Sequence, residues 1–391
     1  MLKSFKYRIY PSTEQGVLLS KHFDSVRFVY NLALETKQTA YLGNKVQLSY
    51  NTLSAQLTDL KKNCTWLKDV HSQCLQMALR NLDNSFQRFF KGKALYPNFK
   101  RKNNKQSFQL PQGISVDFKN NVIFLPKFKN PIKAVLHRKF IGDIKTVTIS
   151  RTSTDKYFIS ILVENNKQYV EILKPIKAVG IDLGIKTFAV CSDGTEYTNP
   201  RYLRNAQVKL KWMQRQLCKK QKNSNRRKVW KFRIAKQHEK ITNQRKDFLN
   251  KVSNEITNRF DLIILEDLNI NGMIKNHKLA GAISDCSWNA FENMLKYKSI
   301  WKGKKLEYIG RFEPSSRICS ICGIKNDKLK LSDRTWNCLS CNTTHDRDIN
   351  ASKNILSFGL RKSGMERALE YAELPSLEGA LKRKKRLSSV I

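Results

Sequence analysis

The chain has 391 residues, enough for two or three domains with cores of their own, and 40% are hydrophobic, which excludes a disordered polyelectrolyte. Lysine and arginine total 73 against 32 acidic residues, a formal net charge of +41 at pH 7, so a large nucleic-acid footprint is expected. An anionic membrane surface is the competing polyanion, but there is no lipidation signal, no clean basic amphipathic helix, no run near the roughly 18 apolar residues of a membrane span, and no signal-peptide core in MLKSFKYRIYPS.

In chain order, residues 1–10 alternate like a strand (Phe5, Tyr7, Ile9) and stop at Pro11. From 12 to 96 the apolar spacing is helical. Val26, Val29 and Leu32 carry it first, then Leu75, Leu79, Leu82, Phe86 and Phe90. No proline interrupts this block between Pro11 and Pro97. From 97 to 172, alternation, β-branched residues and the turn signal Lys119-Asn120-Asn121 predict a β-rich domain. The first strand, residues 1–11, is expected to join it, making the helices an insertion. Arg80, Arg88, Lys91, Lys93, Lys100, Arg101 and Lys102 are candidate nucleic-acid contacts on charge alone. Phe89, Phe90 and Phe108 beside them are read as core rather than as stacking platforms.

AVGIDLGIKTFAV, residues 178–190, then reads as strand, turn and strand, followed by a hairpin at Asp193-Gly194. Residues 201–251 hold eighteen lysines and arginines against two acids, too lopsided for a salt-bridged surface. A helical hairpin turning near Asn223-Ser224-Asn225 is expected, with Arg226, Arg227 and Lys228 as candidate phosphate contacts. FDLIILEDLNI is another buried strand, ending at Glu266 and Asp267. The end of the chain, from about 361, is sparse in core residues and contains KRKKR; a disordered, RNA-binding tail is expected there.

Asp182 interrupts an otherwise buried strand, where an ionised carboxylate is costly unless it pairs or holds a metal. Glu266 closes a second such strand, and Asp348 precedes a helix in HDRDINASKNIL. They lie 84 and 82 residues apart, so they meet only if the sheet sets the strands side by side. Each alone has an ordinary reading, a turn former or a strand exit. Together, in so basic a chain, they suggest hard oxygen ligands for Mg²⁺ or Mn²⁺ and two-ion phosphodiester hydrolysis.

Of nine cysteines, Cys64, Cys74, Cys191, Cys218 and Cys286 are scattered, which suits a reducing cytoplasm. Cys319, Cys322, Cys338 and Cys341 form C-x₂-C-x₁₅-C-x₂-C, a pattern for one closed, structural Zn²⁺ site. His345 is a rival ligand, but four thiolates leave it no vacancy. Lys325, Lys328, Lys330 and Arg334 make the loop a plausible nucleic-acid contact.

Taken together, GIDLGIKTFAV, IILEDLNINGM and CSICG…CLSC…HDRDINASKNIL resemble the motifs of TnpB, a transposon-encoded family related to the type V CRISPR effector nucleases. FKYRIYPSTEQ, RFVYNLAL and FQRFFKGKALYPNFKRK resemble the family's N-terminal phrases. Asp24 stands where the family pattern has Gly. The resemblance implies an α+β multidomain protein. Its RNase H-like (RuvC) nuclease domain would span 173–314 and 342–360, with a zinc-binding loop at 315–341 inserted. Residues 1–11 and 97–172 would form a wedge-like domain carrying a helical recognition insertion at 12–96.

The resemblance also implies an RNA-guided DNA endonuclease of a bacterial insertion sequence. Its partners would be a guide RNA from the transposon end and a double-stranded DNA target cut beside a short flanking motif. No membrane and no protein oligomer would be required, and the protein would work in the bacterial cytoplasm at the nucleoid. Asp182, Glu266 and Asp348 would be catalytic and hold two Mg²⁺. Asp346 competes for the third position, and Asn350 is expected to buttress Asp348. The rivals are a guide-bound, cleavage-silent regulator, a strand-transferring transposase, and a non-catalytic zinc and RNA-binding module.

Overall fold

The computed structural model describes residues 1–103, 105–165, 177–330 and 332–363. The chain divides into two compact units, Met1–Gln168 and Tyr169–Ile391. Of the tail expected from 361, Arg361 and Lys362 belong to a helix whose C-cap is Ser363, and residues from 364 lie outside the described residues, as does the expected boundary at 172.

The first unit is a seven-stranded antiparallel sheet with helices on it. Its elements are β1 (Leu2–Tyr10), α1 (Thr13–Asn44), α2 (Tyr50–Asn63), α3 (Ser72–Phe90), β2 (Gln106–Leu110), β3 (Ser115–Asp117), β4 (Val122–Phe124), β5 (Ile132–Val135), β6 (Asp143–Arg151) and β7 (Tyr157–Glu164). The strand order is β2-β6-β7-β1-β5-β4-β3. β1 pairs with β7 on one side and β5 on the other, so the first strand is central and the three helices are inserted after it. Period-two alternation buries Phe5, Tyr7 and Ile9.

α1 begins at a capping box in which the Ser12 hydroxyl accepts from Gln15 N and the Gln15 side chain accepts from Ser12 N. It runs 32 residues to Lys45, whose left-handed backbone ends it. At the Lys119-Asn120-Asn121 turn, Asp117 accepts from two backbone amides and Asn121 takes φ 54°. Phe108 is buried as expected. Phe90 is not: it is 67% exposed, in an aromatic group with Phe86 and Phe89 at the C-terminal end of α3.

The second unit holds β8 (Ala178–Leu183), β9 (Thr187–Cys191), β10 (Glu196–Thr198), α4 (Tyr202–Cys218), α5 (Asn225–Arg259), β11 (Leu262–Glu266), α6 (Ile270–Met273), α7 (Ala280–Cys286), α8 (Trp288–Lys302), β12 (Lys305–Ile309), β13 (Thr335–Asn337), β14 (Thr344–Asp346) and α9 (Arg347–Lys362). Its main sheet has the order β10-β9-β8-β11-β12. β8, β9 and β10 form an antiparallel meander, while β8, β11 and β12 are parallel.

Both faces of this sheet are covered, which is why β8 and β11 read as continuous apolar runs. Val179, Ile181, Ile263 and Leu265 bury against the α5 and α8 side. Leu262 and Ile264 bury against Ile355 and Leu360 of α9. A Cβ on Gly180 would meet Ser352 O at 2.2 Å, and one on Gly359 would meet Ile264 at 2.5 Å. These two glycines let α9 lie directly on the strands.

The basic hairpin forms where expected. Ser224 caps α5, and Asn223 takes φ 66° in the turn. Asp285 is buried and pairs with Arg245 at 2.8 Å while accepting from the Leu203 and Arg204 amides at the start of α4. That contact fastens the hairpin to α7.

Candidate functional site

Side chains alternate along a strand, so Gly180 and Asp182 share the α9 face of β8, and Leu262, Ile264 and Glu266 share it on β11. Ile181 pairs with Leu265 in register, and the next residue of each strand is Asp182 and Glu266 respectively. α9 starts over this strand end. Its N-cap is Asp346, whose carboxylate accepts from the Asp348 and Ile349 amides at 2.9 and 3.0 Å. Asp346 is thereby used for capping, and Asp348, in the first turn, faces the cleft. Asp182, Glu266, Asp348, Ser315, Ser316, Arg334, Arg347 and Ala351 line one opening of about 240 Å³.

The electrostatics follow from crowding three acids. Burial, then the charges of Glu266 and Asp348, push the Asp182 carboxyl up to about 7. Burial also raises Glu266, against the opposing effect of a hydrogen bond donated by the Ser315 hydroxyl. Arg334 Nη1 donates to both oxygens of Asp348 at 3.3 Å. Arg347 is turned onto Lys330 O at 3.0 Å. The donor set fits hard divalent cations: all oxygen, net negative, and destabilised without counter-charge. Such ions, when bound, would polarise a scissile phosphate and generate a hydroxide nucleophile.

The four cysteines converge more tightly. Among the described residues they are the group whose donor atoms all lie within 4.8 Å of one another. Cys319 and Cys341 Sγ are 3.6 Å apart, and Cys322 and Cys338 Sγ 3.4 Å, near the edge of about 3.8 Å for a tetrahedron with Zn–S bonds of about 2.3 Å. Two matching turns build it. Gly323 (φ 76°) and Asn342 (φ 56°) return amides to Cys319 O and Cys338 O, each at 2.9 Å. His345 is buried against Trp336 with Nε2 3.0 Å from Cys319 Sγ, beside the sulfurs. The loop's hairpin, β13 with β14, runs to Asp346, past the boundary expected at 341.

Other expectations need correction. Asn350 does not reach Asp348. Its amide accepts from Ser320 N at 2.9 Å and donates to Ile318 O at 2.7 Å, gripping the first cysteine turn instead. Arg227 is half-buried, and its Nη1 donates to Leu217 O and Lys220 O, both at 2.9 Å, at the end of α4 and in the turn after it. The Lys100 ammonium sits 3.8 Å over the Tyr30 ring, and burial lowers its pKa. Arg80, Arg88, Lys91, Lys93, Arg101, Lys102, Arg226 and Lys228 are exposed. Arg334 is read from sequence only as one more cation of the cysteine loop, and Ser315 and Arg347 are not read at all. No local pattern distinguishes Ser315 and Arg334, which reach the cleft only through the loop's fold, and Arg347 reaches it as the first residue of α9, beside Asp348.

Comparison with known proteins bears on the site. Residues 160–277, which include Asp182 and Glu266, match the OrfB_IS605 model, described as "Probable transposase". Residues 288–355, with the cysteines and Asp348, match the Cas12f1-like TNB domain. A Streptomyces pristinaespiralis protein named "Putative RNA-guided DNA endonuclease" is 38% identical over 92% of this chain and 90% of its own. The chain belongs to the OrfB (TnpB) family. Another family member, the Escherichia coli (strain K12) protein named "Putative RNA-guided DNA endonuclease InsQ", is 31% identical over 92% of each chain. A cryo-EM structure of a Cas12f1-sgRNA-target DNA complex aligns over 91% of this chain and 99% of its own at 17% identity, with a TM-score of 0.34. Residues 1–45 also match a model described as a helix-turn-helix domain. Here that span is one strand and a single 32-residue helix.

Proposed function

We propose that this chain is an RNA-guided DNA endonuclease that cuts double-stranded DNA beside a short flanking motif. The observation that carries the reading is the convergence of Asp182, Glu266 and Asp348, from three elements distant in sequence, on one cleft rimmed by arginine. The names of the 38% and 31% identical relatives support the guided activity. The strand order, an antiparallel meander followed by two parallel strands, supports an RNase H-like (RuvC) domain. In that domain the carboxylates would hold two Mg²⁺ or Mn²⁺. Arg334, which compensates charge at Asp348, would pair with a scissile phosphate at the rim of the cleft. The cysteine loop would hold one structural Zn²⁺. The first unit would be the wedge-like domain with its recognition insertion, and guide RNA and target would lie along the exposed cations.

The test is cleavage by the purified complex of the chain with RNA from its own locus. The substrate is a plasmid library with a guide-matched target beside randomised bases, offered with Mg²⁺ or with EDTA. Linear product only with Mg²⁺, sharing a flanking motif and absent for Asp182→Ala, is expected. RNA-dependent binding without cutting would point instead to a silent regulator. Joined strands without guide would support the strand-transfer chemistry suggested by the matched transposase description.

A further inference from the structure

Glu266 is the one carboxylate of the cleft that accepts a hydrogen bond from a hydroxyl, among the described residues: Ser315 Oγ donates to its Oε1. Ser315 is 6% exposed, and every polar group it carries is engaged. Its amide donates to Glu313 O at 2.8 Å, and its carbonyl accepts from Asn354 Nδ2 at 2.7 Å. The same Asn354 amide donates to Ile318 O at 2.6 Å, and Asn350 holds Ile318 O and Ser320 N. Asn350 and Asn354 lie one turn apart on α9, 1% and 4% exposed. Ile318 and Ser320 flank Cys319, the first sulfur of the zinc loop.

A buried amide is expensive unless satisfied. Placing two of them on one helical face, both spent on a single six-residue segment, specifies where that segment sits. The segment is thus fixed from below by α9, which also carries Asp348, and from beyond by the cysteine turn. Its hydroxyl is the part that touches the cleft. We infer that Ser315 is a positioning residue for Glu266, held by the Asn350–Asn354 clamp, so that the base of the cysteine loop sets the geometry of the ion-binding carboxylates. Through this path the zinc loop acts on the cleft without contributing a ligand to it. The inference rests on the proposed ion-binding role of the carboxylates.

The experiment measures Mn²⁺ binding by electron paramagnetic resonance in the full chain bound to its guide RNA, alongside the Mg²⁺ concentration giving half-maximal cleavage. Partners that orient metal ligands typically alter affinity by roughly 10-fold to 100-fold when removed. Ser315→Ala is expected to weaken Mn²⁺ binding and raise the Mg²⁺ requirement in that range, with zinc content and guide affinity unchanged. Ser315→Thr, which keeps the hydroxyl, is expected to restore both. Asn354→Ala, which frees the segment while leaving Ser315 in the chain, is expected to weaken Mn²⁺ binding in the same direction. Asp182→Asn is the reference. If it weakens Mn²⁺ binding and Ser315→Ala does not, the positioning role is overturned and the carboxylate site stands. If neither changes it, the carboxylate site itself is wrong and this inference falls with it.

Discussion

Asp182 depends on the residue two before it. Gly180 lies on the same face of β8, in backbone contact with Ser352 and Leu356 of α9, the helix that delivers Asp348. Gly180→Ala would force the helix off the strand, at a cost of about 3 kcal/mol or more, since backbone cannot step aside as a side chain can. Gly281→Ala is the control, because nothing lies within 4 Å of a Cβ there. Thermal unfolding should separate the two variants by several degrees, and an equal melting point would refute the close contact. This also explains what was legible at this scale. Asp182 and Glu266 stand out because each is a carboxylate in, or at the end of, an apolar strand, whereas Asp348 lies in the polar stretch HDRDINASKN and is singled out over Asp346 only by the family resemblance. Ser315 and Arg334 sit in polar loop sequence, where a serine or arginine is ordinary, and only the loop's path makes them neighbours of the acids. Asn350 was noticeable, but its partner was not, because a buried amide gives no sign in sequence of which backbone it grips.

At the scale of elements, periodicity marked a helical block, a β-rich stretch and the strands carrying Asp182 and Glu266, and turn chemistry at Asn121, Gly194 and Asn223 marked reversals. What it could not give was pairing across long gaps, such as β1 between β5 and β7, since any apolar strand fits any apolar neighbour in the absence of the third dimension. The junction of α1 with that sheet yields a pH prediction. His22 is buried on α1, stacked 5.0 Å from Phe108, with Nδ1 2.8 Å from Leu18 O and Nε2 accepting from His71 N at 3.2 Å. Both nitrogens are engaged as in the neutral ring, and burial lowers the pKa to about 4 from an ordinary 6.5. At pH 7 the ring is neutral whether folded or not. As the pH falls below 6.5 the unfolded chain takes a proton that the folded one refuses, so stability drops until about pH 4 and then levels. The shift corresponds to about 3 kcal/mol. Denaturant unfolding at pH 7, 5 and 4 should show this loss in the wild type and a reduced loss in His22→Gln. An unchanged pH dependence in the variant would place the titrating group elsewhere.

For the whole molecule, a net charge of +41 makes association with nucleic acid steeply salt-dependent, because each neutralised phosphate releases counterions. Composition alone, however, counts every cation equally. The structure separates those whose charge is used within the protein from those that face outward. Arg227 closes the end of α4, Arg245 is paired with Asp285, and Lys100 lies over Tyr30. Arg226 and Lys228, on either side of Arg227, are exposed. Neighbours in sequence should therefore behave differently. If the hairpin contacts phosphates, replacing Arg226 and Lys228 together by alanine should lower the slope of log affinity for guide RNA against log salt by about 2, roughly one for each lost contact. Arg227→Ala should leave that slope unchanged and instead destabilise the hairpin, since Lys220 O in the turn after α4 loses the Arg227 donor and Leu217 O is left with backbone donors alone. Filter binding across a salt series, with melting curves for the same variants, reads both quantities. Equal slopes for Arg227→Ala and the double variant would mean that the hairpin's cations act as a diffuse cloud, with no distinction between the capping arginine and its neighbours.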